Sequence, residues 1–311
     1  MKSYSGSLDN VVLIIGYNRP DFVRKQIELC LALNRKVLIA VDGPKDRLDI
    51  GALEVKKIVL EIQNEFRELI LDCLIHSENL GCRKGVIQAI NWGFGFTNSL
   101  IILEDDVDVD SRFFSYMDYC LKTYQDDQSV FAINAWNPLP LESDLDLDSI
   151  KIFKSNFLFT SGWGIWKNRW YKFDPEMTGF YSQSDIRKMK SLKHYNYNFY
   201  FSRIMRMKFQ QCLDGKLDTW DYPLLYTMWK SGGYAITPRN RISGNSGFDS
   251  RATHTKTAPA HFPDNAYLLP PQTNFQLDYS NLEMVMCAEN LNYRSADIIF
   301  NFRTEKSIRN I

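Results

Sequence analysis

The chain has 311 residues, of which 45% are hydrophobic and 24% charged, the balance of a globular protein rather than a disordered one. Lys+Arg and Asp+Glu both number 37, so net charge gives no pull toward nucleic acid. At ~100–200 residues per domain, this length suits one large domain or two small ones.

The N-terminus, Met1–Asn10, is polar and lacks the charged-then-apolar pattern of a signal peptide. No apolar run approaches the ~20 residues needed to span a bilayer. The expectation is a cytoplasmic protein without a transmembrane segment, touching any lipid only peripherally. The six cysteines form no C-x-x-C pair and show no zinc-ligand spacing with His. Several lie in apolar, helix-like segments, which reads as buried free thiols and favours a reducing compartment.

Up to residue 135 the chain reads as repeated strand–helix units. Val11–Ile15 (VVLII) is a short β-branched run suited to a strand buried on both faces. Pro20 can occupy a helix's first turn, and Asp21–Leu33 then carries apolar residues at helical spacing. Strands follow at Lys36–Val41, Leu69–His76, Ser99–Leu103 and Val130–Asn134, with helices predicted over Asp49–Phe66, Arg83–Phe94 and Arg112–Tyr124. The alternation predicts an α/β fold with a mostly parallel, Rossmann-like sheet and helices on both faces. Ligands of such sheets bind beyond the carboxyl ends of the strands. The polar signatures Asn18-Arg19, Asp42-Gly43 and Glu104-Asp105-Asp106 all fall at those ends.

After Pro138 the pattern changes. Leu139–Ser149 reads as an acidic surface loop, Asp185–Leu213 as a helical pair, Trp220–Ser231 as a helix and Asn240–Pro271 as loop. Aromatic residues, 14% of the chain, concentrate between Trp136 and Tyr234. They suit an aromatic core or a cleft that stacks on sugar faces. The chain divides into residues 1–135, the strand–helix half, and residues 136–311, an aromatic-rich half of the same domain.

Glu104-Asp105-Asp106 follows an apolar strand, and three adjacent carboxylates repel one another unless a cation or strong donors compensate. Mn2+ or Mg2+ suits such oxygens and could bridge a carboxylate to a diphosphate. A calcium loop counted from Asp106 fails, because Ser111 and Met117 stand where Gly and Glu are needed. An Asp-x-Asp phosphatase nucleophile has no support elsewhere in the chain. The plain alternative is an acidic turn capping the helix at Arg112.

The run from Ile102 to Phe114 (ILEDDVDVDSRFF) resembles the acidic motif of GT-A glycosyltransferases. It is most similar to the N-acetylglucosaminyltransferases that initiate complex N-glycan branches. That resemblance implies Asp106 as the metal ligand, with Asp105 and Glu104 on the ribose and donor sugar. Gly16-Tyr17-Asn18-Arg19-Pro20 resembles the first strand end of those enzymes, implying Arg19 on the diphosphate, a role its planar fork fits. Asp42 resembles the Asp that recognises the nucleobase, and His76, at a strand end, is a further base contact. Asn79-Leu80-Gly81 with Gly85 resembles a turn of family-two glycosyltransferases.

Gly162-Trp163-Gly164 resembles the segment that shapes the donor-sugar and acceptor pocket; its plain reading is a strand-to-helix turn packed by Trp. An inverting transfer needs one carboxylate to take the acceptor's proton. The resemblance assigns that role to Asp221, in Thr219-Trp220-Asp221, with Asp218 as the fallback and a helix N-cap as the plain alternative. His254 matches a loop His over the diphosphate, and Arg239, Arg241 and Arg251 lie near it in sequence. The resemblance covers roughly residues 11–255. It implies an inverting enzyme of the bacterial surface-polysaccharide kind, taking a UDP-sugar donor and a saccharide or glycolipid acceptor. Two alternatives stay open: a sugar-nucleotide nucleotidyltransferase, whose Gly-rich loop Ile15–Arg19 matches poorly, and a non-catalytic sugar-binding protein.

Overall fold

The structure, a computed structural model, describes residues 10–137, 152–180 and 199–246. Three apolar runs make parallel neighbours: β1 (Val11–Gly16), β2 (Val37–Val41) and β4 (Ser99–Glu104). β3 (Ile70–Ile75) adds to the β2 edge. On the other side of β4 come β8 (Trp163–Trp166), β6 (Val130–Asn134), β9 (Tyr234–Pro238) and β7 (Ile152–Ser155). The order among the described residues is β3-β2-β1-β4-β8-β6-β9-β7. β8 runs antiparallel to both β4 and β6, and β7 antiparallel to β9; the other pairings are parallel. The sheet thus interleaves strands from both halves of the chain.

Alternation along β1 sends Val11 and Leu13 into one core, and Val12 and Ile14 into the other. Helices α1 (Pro20–Ala32), α2 (Ile50–Glu65) and α4 (Ser111–Thr123) cover the second face. Helices α3 (Gly81–Gly93), α6 (Phe199–Leu213) and α7 (Asp221–Lys230) cover the first, with Trp170 from the single turn α5 (Lys167–Trp170). The expected mixed α/β architecture with helices on both faces is therefore what forms.

Aromatic residues build much of the first core. Trp163, Trp170, Trp220 and Trp229 are at most 2% exposed, and Phe209 packs edge-on against Phe180, Tyr226 and Trp229. Cys30, Cys120 and Cys212 are buried free thiols, as the sequence suggests, and Cys73 and Cys82 are half-buried free thiols. Among the described residues no helix is long and apolar enough to cross a membrane.

Among the described residues five strands were not foreseen: β7, β8 and β9 of the sheet, and two short ones outside it. β5 (Val107–Val109) lies in the acidic run, and β10 (Ser243–Asn245) in the stretch read as loop; they pair antiparallel. Three residues are too few to display a period, and each becomes a strand only by meeting the other. The predicted helical pair from Asp185 is described only as α6. The predicted loop Leu139–Ser149 lies outside the described residues.

The turn after β2 is the tightest approach near the sheet's carboxyl edge. A Cβ on Gly43 would lie 2.3–2.5 Å from backbone atoms of Glu78, which cannot swing aside. Gly43→Ala should cost about 1–3 kcal/mol through overpacking, seen as a Tm lowered by several degrees in a circular-dichroism melt. An unchanged Tm would mean that the turn carrying Glu78 relaxes freely.

Candidate active site

Strand order reverses direction between β1 and β4, so their carboxyl ends flank a topological switch point. β1 ends at Gly16 and leads into Tyr17 and Arg19; β4 ends at Glu104, level with Ile15. Asp105 and Asp106 form the turn into β5. Because β8 runs backward, its first residue is the one at this edge. Trp163 pairs with Ile102 on one side and Asn134 on the other.

Arg19 is only 6% exposed, and its guanidinium lies on the acidic turn, 2.8 Å from Asp105 Oδ1 and 3.6 Å from Asp106 Oδ2. The Tyr17 backbone N–H donates to Asp105 Oδ2 at 3.0 Å. Burial, then Asp106, raises the Asp105 carboxyl to about 6 against the pull of Arg19. Burial, followed by Asp106, Asp105 and Asp221, pushes Glu104 well above the usual carboxylate range, with Arg19 opposing. Burial also raises Asp106, against Arg19 and a side-chain hydrogen bond from Asn245. Asp106 keeps 29% of its side chain exposed, against 12% for Asp105.

Residues that the motif does not announce hold this turn. Gln26 of α1, 4% exposed, donates its amide to the carbonyls of Glu104 and Val107, both at 2.8 Å, bridging the two ends of the Asp105-Asp106 step. On the other side, the Ser246 N–H donates to the Asp106 carbonyl at 2.9 Å. Asp108 accepts from Lys25 at 2.6 Å and from the Ser246 hydroxyl, and Asp110 caps α4 through the Arg112 N–H. The later acids of the run are therefore structural, as the helix-capping alternative has it for Asp110. The signal for Gln26 was a polar residue on the apolar stripe Val23, Ile27, Cys30 of α1. No signal in the sequence pairs Asn245 and Ser246 with the acidic run.

Asp42 receives four donors. The N–H groups of Gly43 (2.9 Å) and Leu80 (2.8 Å) meet Oδ1; the Asn79 amide (3.0 Å) and Gly81 N–H (3.1 Å) meet Oδ2. It holds the Asn79-Leu80-Gly81 turn, in which Gly81 takes φ +80°. His76 follows β3; its backbone N–H donates to Val41, and its Nε2 is buried with no partner among the described residues.

Gly162, at φ +75°, leaves no room for a Cβ, which would sit 2.9 Å from the Phe113 ring. Trp163 is 0% exposed and stacks on Trp220, centroids 5.3 Å apart at 23°. The pair joins the start of β8 to the start of α7. Trp220 occupies the N-cap position of α7 without a side-chain cap bond, and Asp221, one residue on, accepts the Tyr222 N–H on Oδ1 at 2.8 Å. Asp221 is the first helical residue, and its charge reaches Glu104. Cys82, raised by burial, feels Glu104, Asp221, Asp218 and Asp106 together. A Cβ on Gly81 would lie 3.0 Å from Asp218 Oδ2.

The structure thus brings together Arg19, Glu104, Asp105 and Asp106, with Asp221 near enough for its charge to reach Glu104 and Asp218 beside the Asp42 turn. Arg241 is buried elsewhere, donating to the Asn137 carbonyl at 2.7 Å and lying 5.2 Å from the Trp136 ring centroid. His254 and Arg251 lie outside the described residues. Among the described residues no three His, Cys, Asp or Glu side chains converge as a ready-made metal cage.

Residues 86–206 match the GNT-I family, a span that includes the acidic motif and β8 but covers less than half of the chain. The match bears out the resemblance read from Ile102–Phe114 and, with the mixed eight-stranded sheet, supports a GT-A-like glycosyltransferase. A solved structure of GalNAc-T7 with UDP, GalNAc and Mn2+ is similar at 13% identity and TM-score 0.43, over 77% of this chain and 44% of that one. A structure of S. aureus TarS is similar at 13% identity and TM-score 0.28, over 42% of this chain and 26% of that one. The chain therefore spans less than half the length of either. A search of curated proteins gave no match.

Arg19 offsets charge that burial makes costly. Arg19→Met should lose about 3–5 kcal/mol, because it strands the carboxylates without their partner. Adding Asp105→Asn should recover part of the loss in chemical denaturation. Equal stability of the single and double variants would show that Asp105 is not the group Arg19 offsets.

Proposed function

We propose that the chain is an inverting glycosyltransferase that moves a sugar from a nucleoside diphosphate donor, UDP foremost, to a saccharide or glycolipid acceptor. The observation that carries this is the buried acidic turn at the β1/β4 switch point, held by Arg19, with the charge of Asp221 reaching Glu104. The family match over residues 86–206 supports it.

In this reading the nucleotide lies across the carboxyl ends of β1 and β2. Asp42 and His76 shape the nucleobase end, and Asp105 meets the ribose. Arg19, already fixed on the turn, adds its charge to the diphosphate. Glu104 meets the donor sugar, beside the wall formed by Gly162 and Trp163. Trp163 acts from beneath, since it is fully buried. His254, which follows β10 in sequence, would act on the diphosphate.

The residues present fit a divalent ion held through one carboxylate. The donors are hard oxygens, the turn is crowded with negative charge, and Asp106 is more open than Asp105. Asp106 would hold Mn2+ or Mg2+ together with phosphate and water oxygens. Such an ion supplies Lewis-acid neutralisation of the departing diphosphate. Asp221 takes the acceptor hydroxyl's proton as that oxygen bonds to C1. The bond from C1 to the diphosphate oxygen breaks, and the nucleoside diphosphate leaves with the electron pair.

The setting we propose is surface-polysaccharide synthesis in the cytoplasm, which the buried free thiols suit, with peripheral contact to the membrane if the acceptor is a lipid.

Two measurements test the proposal. Asp106→Ala should bind UDP with no gain from manganese in calorimetry, whereas the unaltered protein should bind more tightly with it. If the variant keeps the full manganese effect, Asp106 is not the ligand. Asp221→Asn should keep donor affinity while turnover falls ~10²-fold or more. A loss of affinity as large as the loss of rate would mark Asp221 as structural. Product NMR should show inversion at C1, and retention would rule out the single-base mechanism.

A further inference from the structure

A general base works through one oxygen, and the structure treats the two oxygens of Asp221 differently. The Thr219 hydroxyl donates to Oδ1 at 2.5 Å, and the Tyr222 backbone N–H donates to the same Oδ1 at 2.8 Å. No hydrogen bond falls on Oδ2 among the described residues. A carboxylate held through a single bond can still turn about its χ2 torsion, which is broad for Asp. Two donors from different directions on one oxygen fix its plane and leave the other oxygen available.

Thr219 is itself held. It is 9% exposed, and its N–H donates to the Leu217 carbonyl at 3.1 Å. Its neighbour Trp220 is clamped by the stack on Trp163. Its branched Cβ restricts χ1, so the hydroxyl is presented in a defined direction. The N-cap residue, Trp220, makes no side-chain cap bond, so the Thr219 hydroxyl is directed at the carboxylate rather than at the helix backbone.

We propose that Thr219 is a positioning residue that anchors Oδ1 of Asp221, so that Oδ2 is the oxygen that takes the acceptor's proton. This rests on the reading of Asp221 as the base. Held in place, Oδ2 faces the incoming hydroxyl without a search over orientations, and the gain appears in turnover rather than in donor binding.

The test compares Thr219→Val, Thr219→Ser and Asp221→Asn with the unaltered full chain. Each is assayed for UDP release from UDP-glucose, UDP-galactose, UDP-GlcNAc and UDP-GalNAc with manganese. Valine keeps the branched shape and removes the hydroxyl; serine keeps the hydroxyl. Thr219→Val should lower kcat roughly 10-fold, a fraction of the ~10²–10⁴-fold that a base supplies, with donor KM within about twofold. Thr219→Ser should stay within about threefold of the unaltered rate. If Val is not tolerated in the core, Thr219→Ala replaces it, because Ser and Ala differ by the hydroxyl alone. A Val or Ala variant as fast as the unaltered protein overturns the proposal. So does a Ser variant as slow as either, or a loss carried entirely by KM. Failure of the underlying reading looks different: the unaltered protein releases no UDP from any donor, or Asp221→Asn keeps the full rate.

Discussion

Consecutive carboxylates at the end of a buried strand repel one another and lose hydration, and the neighbouring elements are arranged around that cost. α1 answers it three times. Arg19 lies against Asp105 and Asp106, Lys25 against Asp108, and Gln26 ties the carbonyls on either side of the turn. The β5–β10 pair answers from the opposite side, through Asn245 and Ser246. The compensation is incomplete: Glu104, Asp105 and Asp106 all keep raised proton affinities. That residual charge is what a divalent ion would offset in the proposed function.

The other half of the site reaches the turn through a reversal. Because β8 runs against its neighbours, its beginning stands beside the ends of β4 and β6. Trp163 then stacks on Trp220, and the chain enters α7 at Asp221, whose charge reaches Glu104. Rigid packing, rather than a loop, sets the spacing between the acidic turn and the opposing carboxylate.

The parallel core was legible because each of its strands carries its signal within itself. Val11–Ile15, Val37–Val41 and Ser99–Leu103 are unbroken apolar runs, and their polar successors, Arg19, Asp42 and Glu104, mark the ligand edge. Features defined by a partner were hidden. Val107–Val109 and Ser243–Asn245 have no pattern of their own, and nothing in Trp163–Trp166 reveals its direction. The Gly162-Trp163-Gly164 segment allowed both a pocket wall and a turn packed by Trp; Trp163 is fully buried at the start of a strand that leads into the single turn α5. Helix-start statistics cannot tell the cap from the residue after it, so Trp220 rather than Asp221 at the N-cap position was not legible. Gln26 was readable in principle: an amide among Val23, Ile27 and Cys30 must find partners inside the protein.

The β5–β10 pair also bears on the order in which the chain assembles. Ser246 meets Asp108 across 138 positions of sequence, whereas β1, β2 and β4 find one another within the first hundred or so residues. Closing so long a span carries a large entropic penalty before any contact offsets it. During synthesis the parallel sheet can gather while its acidic end is still wet and charged. Desolvation of that end waits for the last described strand, so among the described residues the acidic turn is completed after the parallel sheet that carries it.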